Sequence, residues 1–355
     1  MQADIFFDMS LEVTQLKKAE YKRAMKPPKG KDEDYLNFLI ATPRQVSATE
    51  AAREQPEREE APAHDAFTRL LQRLEPDAET LWQEARTQIG LDQGVLVIDD
   101  STLDKPSAKK LALVTRHWSG KPHAVVRGIN LITLLWTEGD RHIPCDYRVF
   151  DKAKDNLTKN DHFQPMLHAA QRRGFQPACG VFDSWYSGIE NLKVLRSFQW
   201  IGLTRLKANR HVNPDRQGLR PLSAVEIGEQ GRGVWLEGYG LIRVFKIVPP
   251  DGDIELWATN KVEMDGLERI KWANFAWTIE HYHRGVKQFC LIERAQVRSR
   301  RAGRNHIECC LRAFLRLERH CDHTGTSWFE AKTAILREAV RAYLAQPLYT
   351  LTPTA

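Results

Sequence analysis

The order of apolar segments between residues 94 and 207 constrains the fold of this chain more than any other feature of its sequence. Short apolar runs with strand character occupy residues 94–99, 125–137 and 141–151. A helical pattern, a strand, a second helical pattern and a further strand follow, up to residue 207. Strands that alternate with helices form sheets covered by helices. The sequence therefore predicts an α/β fold with a mixed sheet flanked by helices.

This element order is that of the RNase H-like fold. Residues 231–253 are rich in Gly, Val and aromatic residues and predict an inserted β-hairpin, after which 254–260 return as a strand. Residues 64–89 have apolar side chains at helical spacing, with Asp65 as the expected N-cap. Residues 1–24 should form either an extension outside the fold or an ordinary helix. The other expected parts are an N-terminal helical region (25–93), the RNase H-like domain (94–207 and 254–323), a β-rich insertion (208–253), and a C-terminal helix and tail (324–355).

The composition is that of a soluble globular protein, with 42% hydrophobic and 28% charged residues. No apolar run approaches the ~20 residues that a membrane helix needs, and the first residues lack the basic start and long apolar core of a signal peptide. We therefore expect a cytoplasmic protein without a membrane partner. The formal net charge of +6 is modest, so the distribution of the basic residues matters more than their sum.

Two of the predicted strands end in carboxylates. Asp99 and Asp100 directly follow the apolar run Val95–Ile98, and Asp183 follows the strand at 178–182. In an RNase H-like sheet the first and fourth strands are neighbours, so Asp100 and Asp183 should face each other. Carboxylate oxygens are the ligands that Mg²⁺ prefers. One aspartate at a strand end is an ordinary turn residue, but this repeated pattern indicates a metal site.

A third carboxylate, Glu280, lies in a predicted helix at 277–289. Glu280, Arg284 and Lys287 are spaced i, i+4, i+7 and share one helix face. The alternative is that Glu280 and Arg284 form only a surface ion pair. The two strand-end aspartates favour a functional role for Glu280.

The six cysteines include no C-x-x-C pair. Cys309, Cys310, His320, Cys321 and His323 are close in sequence, and a zinc site is one interpretation of them. Cys309 and Cys310 lie in an amphipathic helical pattern, however, where a free cysteine usually packs as a small core residue. Core packing is therefore the preferred interpretation.

Several motifs in order resemble those of bacterial insertion-sequence DDE transposases, in the branch related to the insertion-sequence four class. They are VIDDSTLDKPSAKK, LTKNDHF, GVFDSWYSGIENLKVLR, WTIEHYHRGVKQFC and IERAQVRSRRAGRNHIECCLRAFLRLE, and the resemblance covers about residues 64–318. It implies DNA cutting and strand transfer with Asp100, Asp183 and Glu280 as a metal-binding catalytic triad. The implied cofactor is a pair of Mg²⁺ or Mn²⁺ ions. Asp100 is preferred because the related motif has Asp directly before Ser or Thr; Asp99 is the alternative.

The chain departs from the wider class at two positions. That class carries Tyr and Arg seven and four positions before the catalytic Glu, where this chain has Ala273 and Ala276. Lys287 matches the class. Arg284 or His283 could replace the missing side chains.

A dense basic segment follows the proposed catalytic helix. Between residues 284 and 304 there are seven basic residues and one acidic residue, Glu293. Such a cluster is the electrostatic pattern of phosphate contact, although a charge run is often only a solvated face. The expected DNA-binding residues are Arg284, Lys287, Arg294, Arg298, Arg300, Arg301 and Arg304.

The implied partners are double-stranded DNA with terminal inverted repeats and target DNA. The chain should act as a homodimer on DNA and associate with the bacterial nucleoid. Residues 64–90 should help to recognise the element ends, and Trp235 or Trp257 could stack on a displaced base, with core packing as the alternative. Two other functions remain: an RNase H-fold endonuclease without strand transfer, and a domesticated transposase that only binds DNA.

Overall fold

A computed structural model describes residues 28–43, 46–57, 59, 61–119, 124–151, 154–248 and 254–347. The expected extension at 1–24 lies outside these residues. The helices are α1 (Asp32–Ala41), α2 (Ala48–Arg53), α3 (His64–Arg73), α4 (Ala78–Ala85), α5 (Lys159–Arg172), α6 (Ile189–Ser197), α7 (Gly266–Asn274), α8 (Ala276–Phe289), α9 (Arg300–Thr324) and α10 (Trp328–Ala345). The strands are β1 (Val95–Asp104), β2 (Thr115–Ser119), β3 (Ala124–Thr137), β4 (Ile143–Phe150), β5 (Cys179–Phe182), β6 (Gly202–Arg205), β7 (His211–Asn213), β8 (Arg220–Pro221), β9 (Arg232–Leu236), β10 (Gly240–Ile247) and β11 (Glu255–Thr259).

The central part of the sheet has the strand order β4-β3-β1-β5-β6. β3 is antiparallel to both β1 and β4, whereas β5 is parallel to both β1 and β6. Every residue from Val95 to Ile98 is buried, so both faces of β1 are covered. This mixed sheet flanked by helices confirms the predicted RNase H-like fold, including the adjacency of its first and fourth strands.

The strands of the insertion continue this sheet. β11 returns antiparallel to β6, and the order then runs β11-β10-β9-β7-β8. The hairpin expected at 231–253 is present as β9 and β10, with Gly240 opposite Leu236. Gly238 and Gly240, with φ of +73° and +124°, occupy conformations that favour glycine at this turn. Residues 208–248 therefore extend the sheet away from β6.

The N-terminal helices pack against α9, the long helix of the core. Asn305 on α9 donates to the carbonyl oxygens of Leu71 (2.7 Å) and Leu74 (2.8 Å). Arg312 on the same helix pairs with Asp32 at 2.8 Å and Glu84 at 2.6 Å. Helices α3 and α4 thus belong to the same hydrophobic core as the sheet.

One local prediction is wrong. Asp65 is not the N-cap of its helix, because the N-cap is Ala63, two residues earlier, and Asp65 lies in the first turn of α3. Gly303 is inside α9, whose N-cap is Ser299. A Cβ at Gly303 would lie 2.9 Å from Leu113, so a close helix–loop approach explains this glycine.

All six cysteines are buried and none forms a disulfide. Cys309 and Cys310 lie in the buried part of α9. No helix in the described ranges has the length and apolar character needed to cross a membrane.

Candidate active site

Carboxylates from three elements line one pocket. The parallel register pairs Ile98 of β1 with Phe182 of β5, so the next row holds Asp99 and Asp183. Register partners in neighbouring parallel strands point to the same face of a sheet. α8 packs over β1 and brings Glu280 to the same pocket, which has a volume of about 290 Å³. Asp99, Asp183 and Glu280 are thereby brought together from distant parts of the sequence.

Asp100 lies outside this pocket. Successive side chains of a strand point to opposite faces, so Asp99 and Asp100 cannot both face α8. The Asp100 carboxylate instead accepts hydrogen bonds from Asn130 (2.6 Å), Lys159 (2.6 Å) and Tyr186 (3.0 Å). Our preference for Asp100 over Asp99 rests on the Asp-before-Ser spacing, which carries no information about which face each aspartate takes. The geometry favours the alternative, Asp99.

The pocket concentrates negative charge. Burial raises the pKa of Asp99 well above its usual range, and the carboxylates of Asp100, Asp183 and Glu280 raise it further. The pKa of Asp183 is also raised, chiefly because surrounding protein atoms desolvate it. The backbone N–H of Trp185 donates to Asp183 at 2.9 Å and partly opposes this increase. A bound cation would stabilise the ionised carboxylates.

The donor set suits a hard divalent ion. Three carboxylates line the pocket, and Mg²⁺ is usually held by one or two carboxylates, with water and substrate phosphate as its other ligands. In the described part of the chain, no group of three or more His, Cys, Asp or Glu is arranged to hold a metal by itself. The pocket therefore offers carboxylate oxygens of the kind that Mg²⁺ takes, without an all-protein cage among the described residues.

The basic segment is less free than its sequence suggests. Four of the seven expected DNA-binding residues have acidic partners: Lys287 with Glu293 at 3.1 Å, Arg300 with Asp151, Arg301 with Glu75, and Arg304 with Asp155 at 4.0 Å. Asp151 is fully buried, so Arg300 is anchored to the core. Each of these four side chains therefore has a structural contact within the chain.

The other three basic residues are exposed and lie in two places. Arg294 and Arg298 line a groove of about 750 Å³ together with Lys105 and Lys110. Arg284 lines a different pocket, beside His281. The face shared by Glu280, Arg284 and Lys287 is therefore split, because Lys287 instead donates to the carbonyl oxygen of Thr102 at 2.8 Å.

Trp235, in the insertion, and Trp257, just past its exit, differ in exposure. Trp257 is 3% exposed and packs in the core, whereas Trp235 is 54% exposed on β9. Neither is the most exposed tryptophan near the carboxylates: Trp277, on α8, lines the pocket and is 65% exposed.

Sequence reasoning missed Arg205. This residue ends β6 and lines the carboxylate pocket with Trp257 and Ala276. The sequence holds one weak signal, since the predicted strand at 200–207 carries two basic residues, Arg205 and Lys207, near its end.

Comparison with known proteins identifies the family. Residues 29–239 match the family model described as DDE superfamily endonuclease. This match covers more than half of the chain and includes Asp99, Asp183 and Arg205, but it ends before Glu280. Comparison with curated proteins finds no match.

Solved structures add little. The Mos1 strand transfer complex aligns at 12% identity with a TM-score of 0.19, over 50% of this chain and 58% of that chain. The Mos1 transposase paired-end complex with left transposon end aligns at 14% identity with a TM-score of 0.18, over 50% and 59%. The alignments thus span less than two thirds of these proteins. On the family match, the chain belongs to the DDE superfamily of endonucleases.

Proposed function

We propose that the chain is a DNA transposase that cuts phosphodiester bonds at the ends of an insertion sequence and transfers the 3′-hydroxyl ends to target DNA. The observation that carries this proposal is the pocket in which β1, β5 and α8 present Asp99, Asp183 and Glu280. Membership of the DDE superfamily supports it. The DNA partners would be terminal inverted repeats and target DNA, held by a homodimer.

The proposed mechanism assigns Asp99, Asp183 and Glu280 as the metal-holding carboxylates. Two Mg²⁺ or Mn²⁺ ions bound there would activate the attacking oxygen and stabilise the leaving 3′ oxygen in an in-line displacement. Asp99 and Asp183 would hold these ions from the sheet and Glu280 would hold them from α8, so that the ions offset the repulsion between the carboxylates and the reacting phosphate. No side chain needs to form a covalent intermediate. A DNA 3′-hydroxyl can replace water as the attacking group, so one site can cut and then join.

Substitution of the three carboxylates tests this assignment. Asp99→Asn, Asp183→Asn and Glu280→Gln should each abolish cleavage of a duplex copied from the DNA that flanks the gene, with Mg²⁺ or Mn²⁺ present. DNA binding should survive in all three, because the substitutions keep side-chain size and remove only charge. Normal cleavage by Asp183→Asn would show that the triad is wrong.

A second function, an endonuclease without strand transfer, is favoured by the description of the matched family, which names only an endonuclease. Joining separates the two functions. A precut duplex with a free 3′-hydroxyl, mixed with a supercoiled plasmid, should yield covalently joined products if the chain is a transposase. Cleavage without such products would support the nuclease. Absence of both activities in a folded, DNA-binding protein would support the domesticated form.

A further inference from the structure

Arg205 stands in the same row of the sheet as the two catalytic aspartates proposed above. The parallel register pairs Phe182 of β5 with Thr204 of β6, so the following row holds Asp183 and Arg205. On the other side of β5, the same row holds Asp99. One row across three neighbouring parallel strands thus carries Asp99, Asp183 and Arg205 on one face, and Arg205 lines the carboxylate pocket.

Two residues of β11, Glu255 and Trp257, contact the Arg205 guanidinium. Arg205 Nη1 lies 3.1 Å from Glu255 Oε1, and the guanidinium lies over the ring of Trp257, 5.1 Å from its centroid. Trp257 is buried and is the register partner of Arg205 in β11. Its Nε1 donates to the other oxygen of Glu255 at 2.8 Å. The stack and the shared carboxylate fix the plane of the guanidinium, while its five N–H donors exceed what one carboxylate oxygen accepts.

Arg205 supplies positive charge to a pocket that is otherwise lined by carboxylates and uncharged side chains. A DNA phosphate that enters the pocket meets three carboxylates, and of the described residues that line it Arg205 is the only one with a positive charge. Ala276, on α8, also lines the pocket. The Arg205 side chain is 42% exposed, so a ligand can reach it.

We infer that Arg205 binds the non-bridging oxygens of the DNA phosphate that lies in this pocket, an inference that rests on the proposed function. The planar guanidinium matches two phosphate oxygens in a forked hydrogen bond, which a lysine ammonium cannot reproduce. Glu255 and Trp257 position it. Arg205 thus supplies fixed positive charge on the side of the phosphate away from Asp99.

The test compares Arg205 with a matched arginine. Arg220 forms the same kind of pair, with Asp215, and the side-chain exposures of the two pairs are 42% and 29% for Arg205–Glu255 against 41% and 29% for Arg220–Asp215. Arg220 lies in β8, at the far end of the sheet order from β6. Arg220→Ala therefore controls for the loss of a half-exposed ion pair.

Affinity for the flanking-DNA duplex is measured against salt in a Glu280→Gln background with Mg²⁺, so that no cutting intervenes. Loss of one phosphate contact should flatten the slope of log K against log salt by about 0.9. We expect this change for Arg205→Ala, with affinity roughly tenfold weaker, and no change for Arg220→Ala. Arg205→Lys should keep the slope because it keeps the charge, yet bind more weakly than Arg205.

Parallel lines for Arg205→Ala and Arg220→Ala would overturn the inference, as would a flattened slope for Arg205→Lys equal to that of Arg205→Ala. If Arg205→Ala is unfolded at the assay temperature, Arg205→Gln replaces it, since Gln is neutral but can still contact Glu255. Failure of the proposed function would be seen separately: the protein with Glu280 intact would bind the duplex and never cut it. The salt slopes decide the role of Arg205 in that case too.

Discussion

The adjacent aspartates Asp99 and Asp100 should respond to the same substitution in opposite ways. The Asp100 carboxylate pairs with Lys159 at 2.6 Å, and the two side chains are only 16% and 19% exposed. Removing one partner of a buried ion pair costs about 3–5 kcal/mol. Asn keeps one oxygen that can accept from Tyr186 or Asn130, so we expect Asp100→Asn to cost about 3 kcal/mol, the lower end of that range.

At Asp99 the sign is reversed. Burial and the neighbouring carboxylates raise the pKa of Asp99, so its ionised form opposes folding at neutral pH. This destabilisation is absent when the group is protonated and develops as pH rises from its usual pKa through its raised one. Asp99→Asn removes it. Without metal at neutral pH, Asp99→Asn should therefore be more stable than the unsubstituted protein and, on the proposed assignment, should not cut DNA.

Thermal unfolding in EDTA at neutral pH and cleavage in Mg²⁺ measure both halves of this prediction. Asp100→Asn should lower the midpoint by roughly 5 °C and keep cleavage within a few-fold at a temperature where it is folded. Asp99→Asn should raise the midpoint and lose cleavage. A lower midpoint for Asp99→Asn in EDTA would refute the charge argument. A folded but inactive Asp100→Asn beside an active Asp99→Asn would reverse the assignment.

Three further predictions concern the basic groove, Glu308 and the divalent ion. The double variant Arg294→Ala/Arg298→Ala should flatten the slope of log K against log salt for duplex binding by about two units, because both side chains are exposed in one groove. A slope parallel to that of the unsubstituted protein would exclude phosphate contact by this groove. Arg300→Ala should instead lower the unfolding midpoint, because it leaves buried Asp151 unpaired. Burial raises the pKa of Glu308 to about 7, so ionisation of Glu308 lowers the stability of the fold as pH rises from the usual pKa of Glu to about 7. Glu308→Gln should therefore stabilise the protein by on the order of 2 kcal/mol at about pH 8 and have little effect at about pH 4. An equal effect at the two pH values would contradict this reasoning. EDTA should abolish cleavage, and Mg²⁺ should raise the unfolding midpoint of the unsubstituted protein through linkage; an unchanged midpoint in a protein that cuts only with Mg²⁺ would show that the ions bind only together with DNA.

The sequence alone predicted the order of the elements and the neighbouring strands that carry the carboxylates. This was possible because apolar periodicity is a local property: the run Val95–Ile98 and the helical pattern around Glu280 each predict one element from its own residues. The RNase H-like order then placed β1 beside β5, and this adjacency predicted that Asp183 belongs to the candidate site.

Only the tertiary structure decided which side chains face the pocket. Asp99 and Asp100 differ by one position, and the packing of α8 on one face of β1 determines which of them meets Glu280. The register of β5 with β6 places Arg205 in the pocket, and buried Asp151 pairs with Arg300. Each outcome depends on contacts between residues far apart in sequence, and the pattern within a single segment carries no information about such contacts.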